Sequence, residues 1–451
     1  MNETILLKDG IVVTMNPKMG ILERGSIVIS EGRIAYVGKD WDVAKKNWHP
    51  DITIELKNKA VIPGLINTHN HSFQTLLKDF LADIPFSIWM NKFIYPLLRC
   101  LNKDLMKLST YLTIIEMLES GTTTFVDVPR FHRDFSIADG IAEAIRDTGI
   151  RGIITWGIHD KGVPEDFITN SQELIKAFRN FRDRWDDIIN KNIRVDIANP
   201  GFWHLSMEGM EKIYELKKKL GLVLHLNIAN HKQLVDLFKL RHLMSEAEFY
   251  AEKGFLDDRT LAVHAVWLSR YDLQILKDYG VSISHNPISN MYLSFGTAPI
   301  VDMLEFGINI CLGTDGLSSY TQNLFLVMKT ALLLHRTHIF SSSINAETVF
   351  RMGTINGAKA LKIDDITGSI EVGKMADLVI LNLQHANTIP FRNMYAILVN
   401  EIESKNVDTV FVNGKIVVEN GRITTIDRDK ILEESKKAAY ELWERCGFLK
   451  E

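Results

Sequence analysis

The spacing of apolar positions changes period along the chain, and those changes divide it. Residues 1–58 alternate apolar and polar side chains around turn dipeptides: ILLKDGIVVTM is predicted to turn at Asp9-Gly10, and SIVISEGRIAYVG at Glu31-Gly32. A two-residue period interrupted by such pairs is the signature of antiparallel strands joined by hairpins. The same texture returns late, in ADLVILN (376–382) and in VDTVFVNGKIVVENGRI, with turns at Asn413-Gly414 and Asn420-Gly421. Two β-rich ends around a differently patterned middle imply one discontinuous β-sandwich, assembled from 1–58 and 366–425.

Over 59–365, short apolar runs alternate with longer segments whose apolar residues recur every three to four positions. That is the pattern of βα units around a buried parallel sheet. Eight runs can be assigned: AVIPGLINTHNH, GTTTFVDV, RGIITWG, IRVDIAN, LVLHLNIA, LAVHAVW, VSISHNP and INICLGTDG. They begin near Ala60, Gly121, Arg151, Ile193, Leu222, Leu261, Val281 and Ile308. Eight is the number that closes a barrel. The intervening LMKLSTYLTIIEMLESG and MEKIYELKKKLG end in glycine, as helices packed on a barrel do. Gly64, after Pro63, is read as easing backbone geometry, and residues 426–451 as one amphipathic helix docked on the barrel or on a partner subunit. The expected fold is α/β: a (β/α)8 TIM-type barrel with a small β-sandwich domain formed by both chain ends.

Composition narrows the function. A chain of 451 residues suits a barrel of roughly 300 residues plus a smaller companion. Net charge is −4 and charged residues are 24%, which offers no basic surface for nucleic acid. Three separated cysteines (Cys100, Cys311, Cys446) with no CxxC pair argue against a disulfide framework or a thiolate zinc site, and fit a reducing cytoplasm. No signal sequence and no run of about 18 apolar residues is present, so neither secretion nor a membrane partner is expected.

Functional groups of such barrels gather where strands meet the following loops. Strand 1 ends in Asn67-Thr68-His69-Asn70-His71, where His69 and His71 share one side of an extended chain. Strand 8 ends in Gly313-Thr314-Asp315-Gly316, and closure makes Asp315 their neighbour. His264 closes strand 6, His285 closes strand 7 and His225 lies in strand 5. Imidazoles and a carboxylate are donors a divalent ion takes, so this rim is a candidate metal site. A single histidine at a strand end is more often a packed core residue than a ligand, and His159 and His204 receive no role from position alone. Phe73, Trp89, Phe93, Trp203 and Trp267 each read singly as core packing; grouped near strand ends they suggest a pocket for a flat, heteroaromatic small molecule. No basic cluster accompanies them, so a phosphorylated substrate is not expected.

PGLINTHNHSFQTLL, LAVHAVWLS, ISHNPISNMYLSFGTAP and CLGTDG, in that order, resemble the motifs of the amidohydrolase superfamily, in the branch of cytosine, guanine and S-adenosylhomocysteine deaminases and triazine hydrolases. GSIEVGKMAD (368–377) resembles that family's return into the β-sandwich, so the resemblance covers almost the whole chain. It implies that His69, His71 and Asp315 bind one divalent ion, zinc with iron or manganese as alternatives. It further implies that Asp315 takes a proton from the attacking water, that His264 holds the nucleophile or polarises the substrate, and that His285 orients substrate. The product of that arrangement is a metal-bound hydroxide that attacks a carbon bearing an amino, amide or halide leaving group. Strand 4 has no lysine to bridge two metals, which favours a mononuclear site, and the resemblance implies a homo-oligomer.

The family's strand 5 reads H-x-H-x-x-E, whereas this chain has His225-Leu226-Asn227-Ile228-Ala229-Asn230. In the preferred register Asn227 stands at the metal position and Asn230 at the glutamate position, where both would face substrate. Sliding by two makes His225 the ligand and leaves Ile228 where the glutamate should be. Neither register supplies a glutamate, and an amide cannot cycle a proton. An amide oxygen is also a poor zinc donor, so metal affinity should be weakened. The leading reading is a hydrolase of C–N bonds in a small cyclic compound. The alternative is a homologue with weak or absent metal that binds a ligand or supports an assembly without turnover. Against the alternative, His69, His71, His264, His285 and Asp315 all remain, whereas relaxed selection scatters its losses.

Overall fold

The computed structural model describes residues 3–39, 48–80, 84–132, 134–316, 319–338 and 344–449. The chain forms two compact units, one of Met1–Asn67, Ile115–Thr124 and Asn323–Ile426, the other of Thr68–Ile114, Phe125–Gln322 and Asp427–Glu451. The first contains a nine-stranded mixed sheet. It runs from Arg422–Ile423 through Lys415–Glu419, Val407–Val412, Leu378–Asn382, Lys59–Pro63 and Ile5–Val13 to Ile21–Ser30 and Arg33–Gly38, with Ile52–Glu55 beside Ile5–Val13. Both chain ends thus share one sheet, and alternate residues such as Leu7, Ile27, Ile29, Val61, Ile380 and Phe411 are buried in its core.

Three predicted turns hold: Glu31-Gly32, Asn413-Gly414 and Asn420-Gly421 have positive φ at both positions, as two-residue hairpins require. Asp9-Gly10 does not turn the chain. It lies inside the single strand Ile5–Val13, with Asp9 at φ 57° and the register against Ile21–Ser30 slipping on both sides of Gly10. The pair forms a bulge, which needs the same left-handed conformation as a turn and so carries the same dipeptide. A Cβ on Gly10 would come within 2.5 Å of the Leu56 Cβ.

The second sheet is wholly parallel, its eight strands in chain order: Leu65–Asn70, Thr122–Asp127, Arg151–Gly157, Ile193–Asn199, Leu224–Ile228, Thr260–His264, Ser282–His285 and Ile310–Leu312. These are barrel strands 1 to 8. Strands 1, 2 and 3 are buried at every position, as parallel strands covered on both faces must be. The barrel closes where Asn70 bridges Asp315 and the Asp315 N–H donates to the His69 carbonyl at 2.9 Å. One predicted run is divided. Lys59–Pro63 pairs with Leu378–Asn382 in the mixed sheet, and only Leu65–Asn70 enters the barrel. Gly64 marks the switch; a Cβ there would lie 2.0 Å from Thr123 Oγ1.

The predicted helices are Lys103–Glu119 and Met207–Leu220, the second ended by left-handed Gly221 at φ 65°. The last helix, Arg428–Arg445, packs on Ser72–Leu77 and Tyr95–Cys100, with the Trp443 indole N–H donating to the Leu76 carbonyl at 2.8 Å. Among the described residues no helix is long and apolar enough to cross a membrane.

Candidate metal centre and active site

Strand 1 presents His69 and His71 at its end, and strand 8 delivers Asp315 across the closing seam. The two Nε2 atoms stand 3.6 and 3.4 Å from Asp315 Oδ1, and His264 Nε2 is 3.9 Å from Oδ2. The ligand atoms of His69, His71 and Asp315 all lie within 4.8 Å of one another. Such separations are too long for hydrogen bonds. They suit donors sharing one ion, because two ligands at about 2.0–2.1 Å from a tetrahedral zinc lie about 3.3 Å apart. The residues present therefore fit a divalent ion.

The surroundings fix each ring. His71 Nδ1 is 2.6 Å from the Val128 carbonyl and must donate its proton there, which leaves the Nε2 lone pair facing Asp315. His264 Nδ1 likewise donates to Asn290 Oδ1 at 2.9 Å. Asp315 Oδ2 accepts from the Ser289 hydroxyl at 2.6 Å and Oδ1 from the Gly316 N–H at 2.8 Å. After His71, the Ser72 N–H at 2.9 Å and the Ser72 hydroxyl both donate to Asp127, at the end of strand 2. His264 and Asp315 hold left-handed φ of 68° and 62°, a strain that functional sites commonly store. Ser289, Asn290 and Asp127 received no role from the sequence. The available signal was the polar Ser289-Asn290 pair one helical turn after His285.

Electrostatics favour metal ligation. Burial, with His71 alongside, holds His69 far below the ordinary imidazole value, and burial lowers His71 as well. Each shift favours the uncharged ring, the form in which an imidazole ligates a metal. Burial opposes ionisation of Asp315, but the imidazoles of His71, His69 and His264 outweigh it and hold the carboxyl well below its usual range. Cys311 is buried and its thiol is pushed up to about 12, so no thiolate is on hand.

A cavity beside this centre is lined by His69, His71, Arg130, His159, His225 and Asn227, among others. His225 and Asn227 thus share the inner face of strand 5. His225 stands outside the three-residue cluster, its Nε2 4.0 Å from Asp196 Oδ2, and burial beside Arg194 lowers it to about 3. Asn230 is half-buried beyond the end of strand 5, and His285 is buried at the end of strand 7. His204 lies 6.2 Å from His159, ring to ring. Arg130, two residues past the carbonyl that anchors His71, was not singled out in the sequence.

The aromatic residues are dispersed. Phe73 lies 5.6 Å from His71, Trp89 is buried, and Phe93 packs on Phe80 and Phe448. Arg241 sits over Trp203, and the Trp267 indole N–H donates to the Phe295 carbonyl at 2.6 Å. A cleft of about 950 Å³ is lined by Phe86, His231, Tyr292, Phe295 and Tyr320. Phe295 meets His264 edge-on at 5.6 Å, so this residue brings an aromatic wall to the centre.

Two imidazoles and a carboxylate converge at the C-terminal rim of the barrel, with a third imidazole beside the carboxylate, an arrangement compatible with a divalent-metal site of a barrel hydrolase. Residues 60–417 match the amidohydrolase family. The chain is 33% identical to the 5′-deoxyadenosine deaminase of Methanosarcina barkeri over 98% of its length and 99% of that protein. It is 32% identical to a 5-methylthioadenosine/S-adenosylhomocysteine deaminase of Thermoanaerobacter pseudethanolicus, over 98% and 100%. A zinc-bound adenosine deaminase from Xanthomonas campestris superimposes with a TM-score of 0.90 at 26% identity, over 97% of this chain and 98% of that one. The chain belongs to the amidohydrolase family, and it is an amidohydrolase-type hydrolase, of the class that acts on carbon–nitrogen bonds other than peptide bonds.

Proposed function

We propose that the protein is a zinc-dependent deaminase that hydrolyses the exocyclic carbon–nitrogen bond of an adenosine-type nucleoside. The observation that carries this reading is the placement of Asp315, whose carboxylate stands 3.4 to 3.9 Å from three imidazoles in a chain related end to end to nucleoside deaminases. A bound divalent ion would supply Lewis acidity that brings the pKa of water toward neutrality. Asp315, ionised and oriented by Ser289 and Gly316, is the group placed to accept the proton of that water. His264 turns a lone pair toward the same space, where it can accept a hydrogen bond from the nucleophile. His285, Asn227 and Asn230 orient the ring. Because Asn230 cannot carry a proton to a ring nitrogen, Asp315 makes both transfers, and turnover is slower than in a site with a glutamate.

Asn227 and Asn230 also favour a second reading, a homologue that binds its ligand without turnover. The test is metal analysis together with ammonia release from 5′-deoxyadenosine. We expect about one zinc per chain, and turnover, with both lost in Asp315→Ala. Zinc binding without ammonia from 5′-deoxyadenosine, 5-methylthioadenosine or S-adenosylhomocysteine would replace the deaminase reading by the second.

A further inference from the structure

Three cysteines scattered along the chain carry no pairing signal, yet folding brings two of them together. Cys100 is the last residue of Tyr95–Cys100, after which Leu101 turns extended at ψ 135°. Cys446 caps the C-terminal end of Arg428–Arg445 and is followed by Gly447 at a left-handed φ of 76°. Both are half-buried, whereas Cys311 is fully enclosed. The two helix ends are stitched to each other. The Arg445 guanidinium donates to the Cys100 carbonyl at 2.6 Å, and the Cys446 thiol donates to the Pro96 carbonyl at 3.7 Å. Beside them the Phe448 ring lies 5.4 and 5.2 Å from those of Phe80 and Phe93, and Trp443 lies 5.1 Å from Phe80. Burial, then a hydrogen bond with Cys100, pushes the Cys446 thiol up to about 12, so the two sulfur atoms are direct neighbours. Helix ends shift at less cost than helix middles, because their last carbonyls lack intrahelical partners. Phe86–Trp89, Met90–Ile94 and Tyr95–Cys100 follow one another without a break, with Phe86 in the wall of the large cleft at one end and Cys100 at the other.

We propose that Cys100 and Cys446 are a reversible oxidation site, closing to a disulfide that ties the C-terminal helix to the far end of the segment that walls the cleft. The oxidant is a small-molecule disulfide of the glutathione class. Because Cys446 holds its proton more tightly than a free thiol, Cys100 attacks first, as thiolate, on one sulfur of the small disulfide. That step expels one small thiol and leaves Cys100 in a mixed disulfide. Cys446 then gives its proton to solvent and attacks the Cys100 sulfur, which expels the second small thiol. Two S–H bonds of the protein are replaced by one S–S bond, and the small disulfide is reduced to two thiols.

The test incubates the full chain with oxidised glutathione, blocks remaining thiols under native conditions, and then counts thiols and maps linked peptides by mass spectrometry. The wild type should lose two of its three thiols, with a peptide containing Cys100 joined to one containing Cys446 and Cys311 left free. Closing so long a loop should raise the melting temperature by about 2–5 °C over the reduced protein, and dithiothreitol should reverse both changes. Cys100→Ser and Cys446→Ser, shown to be folded by their reduced melting curves, should form no such link and gain no such shift. Three thiols surviving oxidation would overturn the proposal, as would cysteines that stop at the mixed disulfide or link only between chains. An internal link that leaves the melting temperature unchanged would overturn the tether. Thiol count and linkage need neither zinc nor a nucleoside, so they stand apart from the deaminase reading.

Discussion

Two amides, Asn227 on strand 5 and Asn230 just beyond its end, set what the proposed deaminase chemistry can draw on. Asn227 shares the cavity with His69 and His71 but offers a neutral oxygen where an imidazole would give zinc a better donor. Asn227→His should therefore raise zinc affinity at least about 10-fold, equivalent to 1.4 kcal/mol, as read by chelator competition. An unchanged affinity would mean that residue 227 does not reach the ion. Asn230 bears on the proton instead. A positioned general acid–base contributes about 10²–10⁴-fold, so Asn230→Glu should raise the rate of ammonia release from 5′-deoxyadenosine about 100-fold with little change in zinc content. If the glutamate variant were slower, residue 230 would be binding substrate through its amide rather than standing where a proton must move.

Between residue and barrel lies the question of what holds the end of strand 5. Strand 5 ends at Ile228, and Ala229 follows at a left-handed φ of 51°. Its N–H donates to Glu246 Oε2 at 2.8 Å, while its carbonyl accepts from Val266 and Trp267 after strand 6. Burial raises Glu246 to about 7; the Ala229 N–H lowers it and nearby Asp272 raises it. A folded-state pKa above the unfolded value means the stabilisation is fully present below about pH 4.5 and is lost as pH rises through 7, a swing of about 3 kcal/mol. Glu246→Gln should flatten that fall, so urea midpoints of the two proteins should diverge between pH 4.5 and 7; parallel profiles would refute the titration. His225, lowered to about 3, acts in the opposite sense and is present in both proteins, so the comparison cancels it. Elements of this kind separate what a sequence displays from what it conceals. The eight strands, the three hairpins and the His69/His71 pair were legible because strand period and turn chemistry are local. Asp9-Gly10 misled because bulge and turn ask for one conformation, and Lys59–Pro63 because a run crossing Gly64 into a second sheet keeps its apolar pattern. Glu246 and Arg130 were invisible, since a lone acid at a helix start and a lone base after a strand look like surface residues until burial is known.

On the scale of the whole barrel, the candidate metal site doubles as the closing seam. Strands 1 and 8 meet through the single bridge of Asn70 and Asp315, and the donors for the ion come from the same two strands, His69 and His71 from one and Asp315 from the other. An ion held by all three would cross-link the first and last strands, where the hydrogen-bond ladder is shortest. Ligand that binds the native state alone stabilises by about 2.7 kcal/mol at a hundred times its Kd. Zinc should accordingly raise the unfolding temperature of chelator-stripped protein, and Asp315→Ala should abolish that response while remaining folded, since its N–H to the His69 carbonyl is a backbone bond the substitution keeps. Zinc bound at scattered surface histidines would stabilise both proteins alike, which would remove the ion from the seam. A response confined to the wild type would tie closure of the barrel and assembly of the catalytic centre to one binding event, so that loss of the ion loosens the rim that Asp315, His264 and Arg130 share.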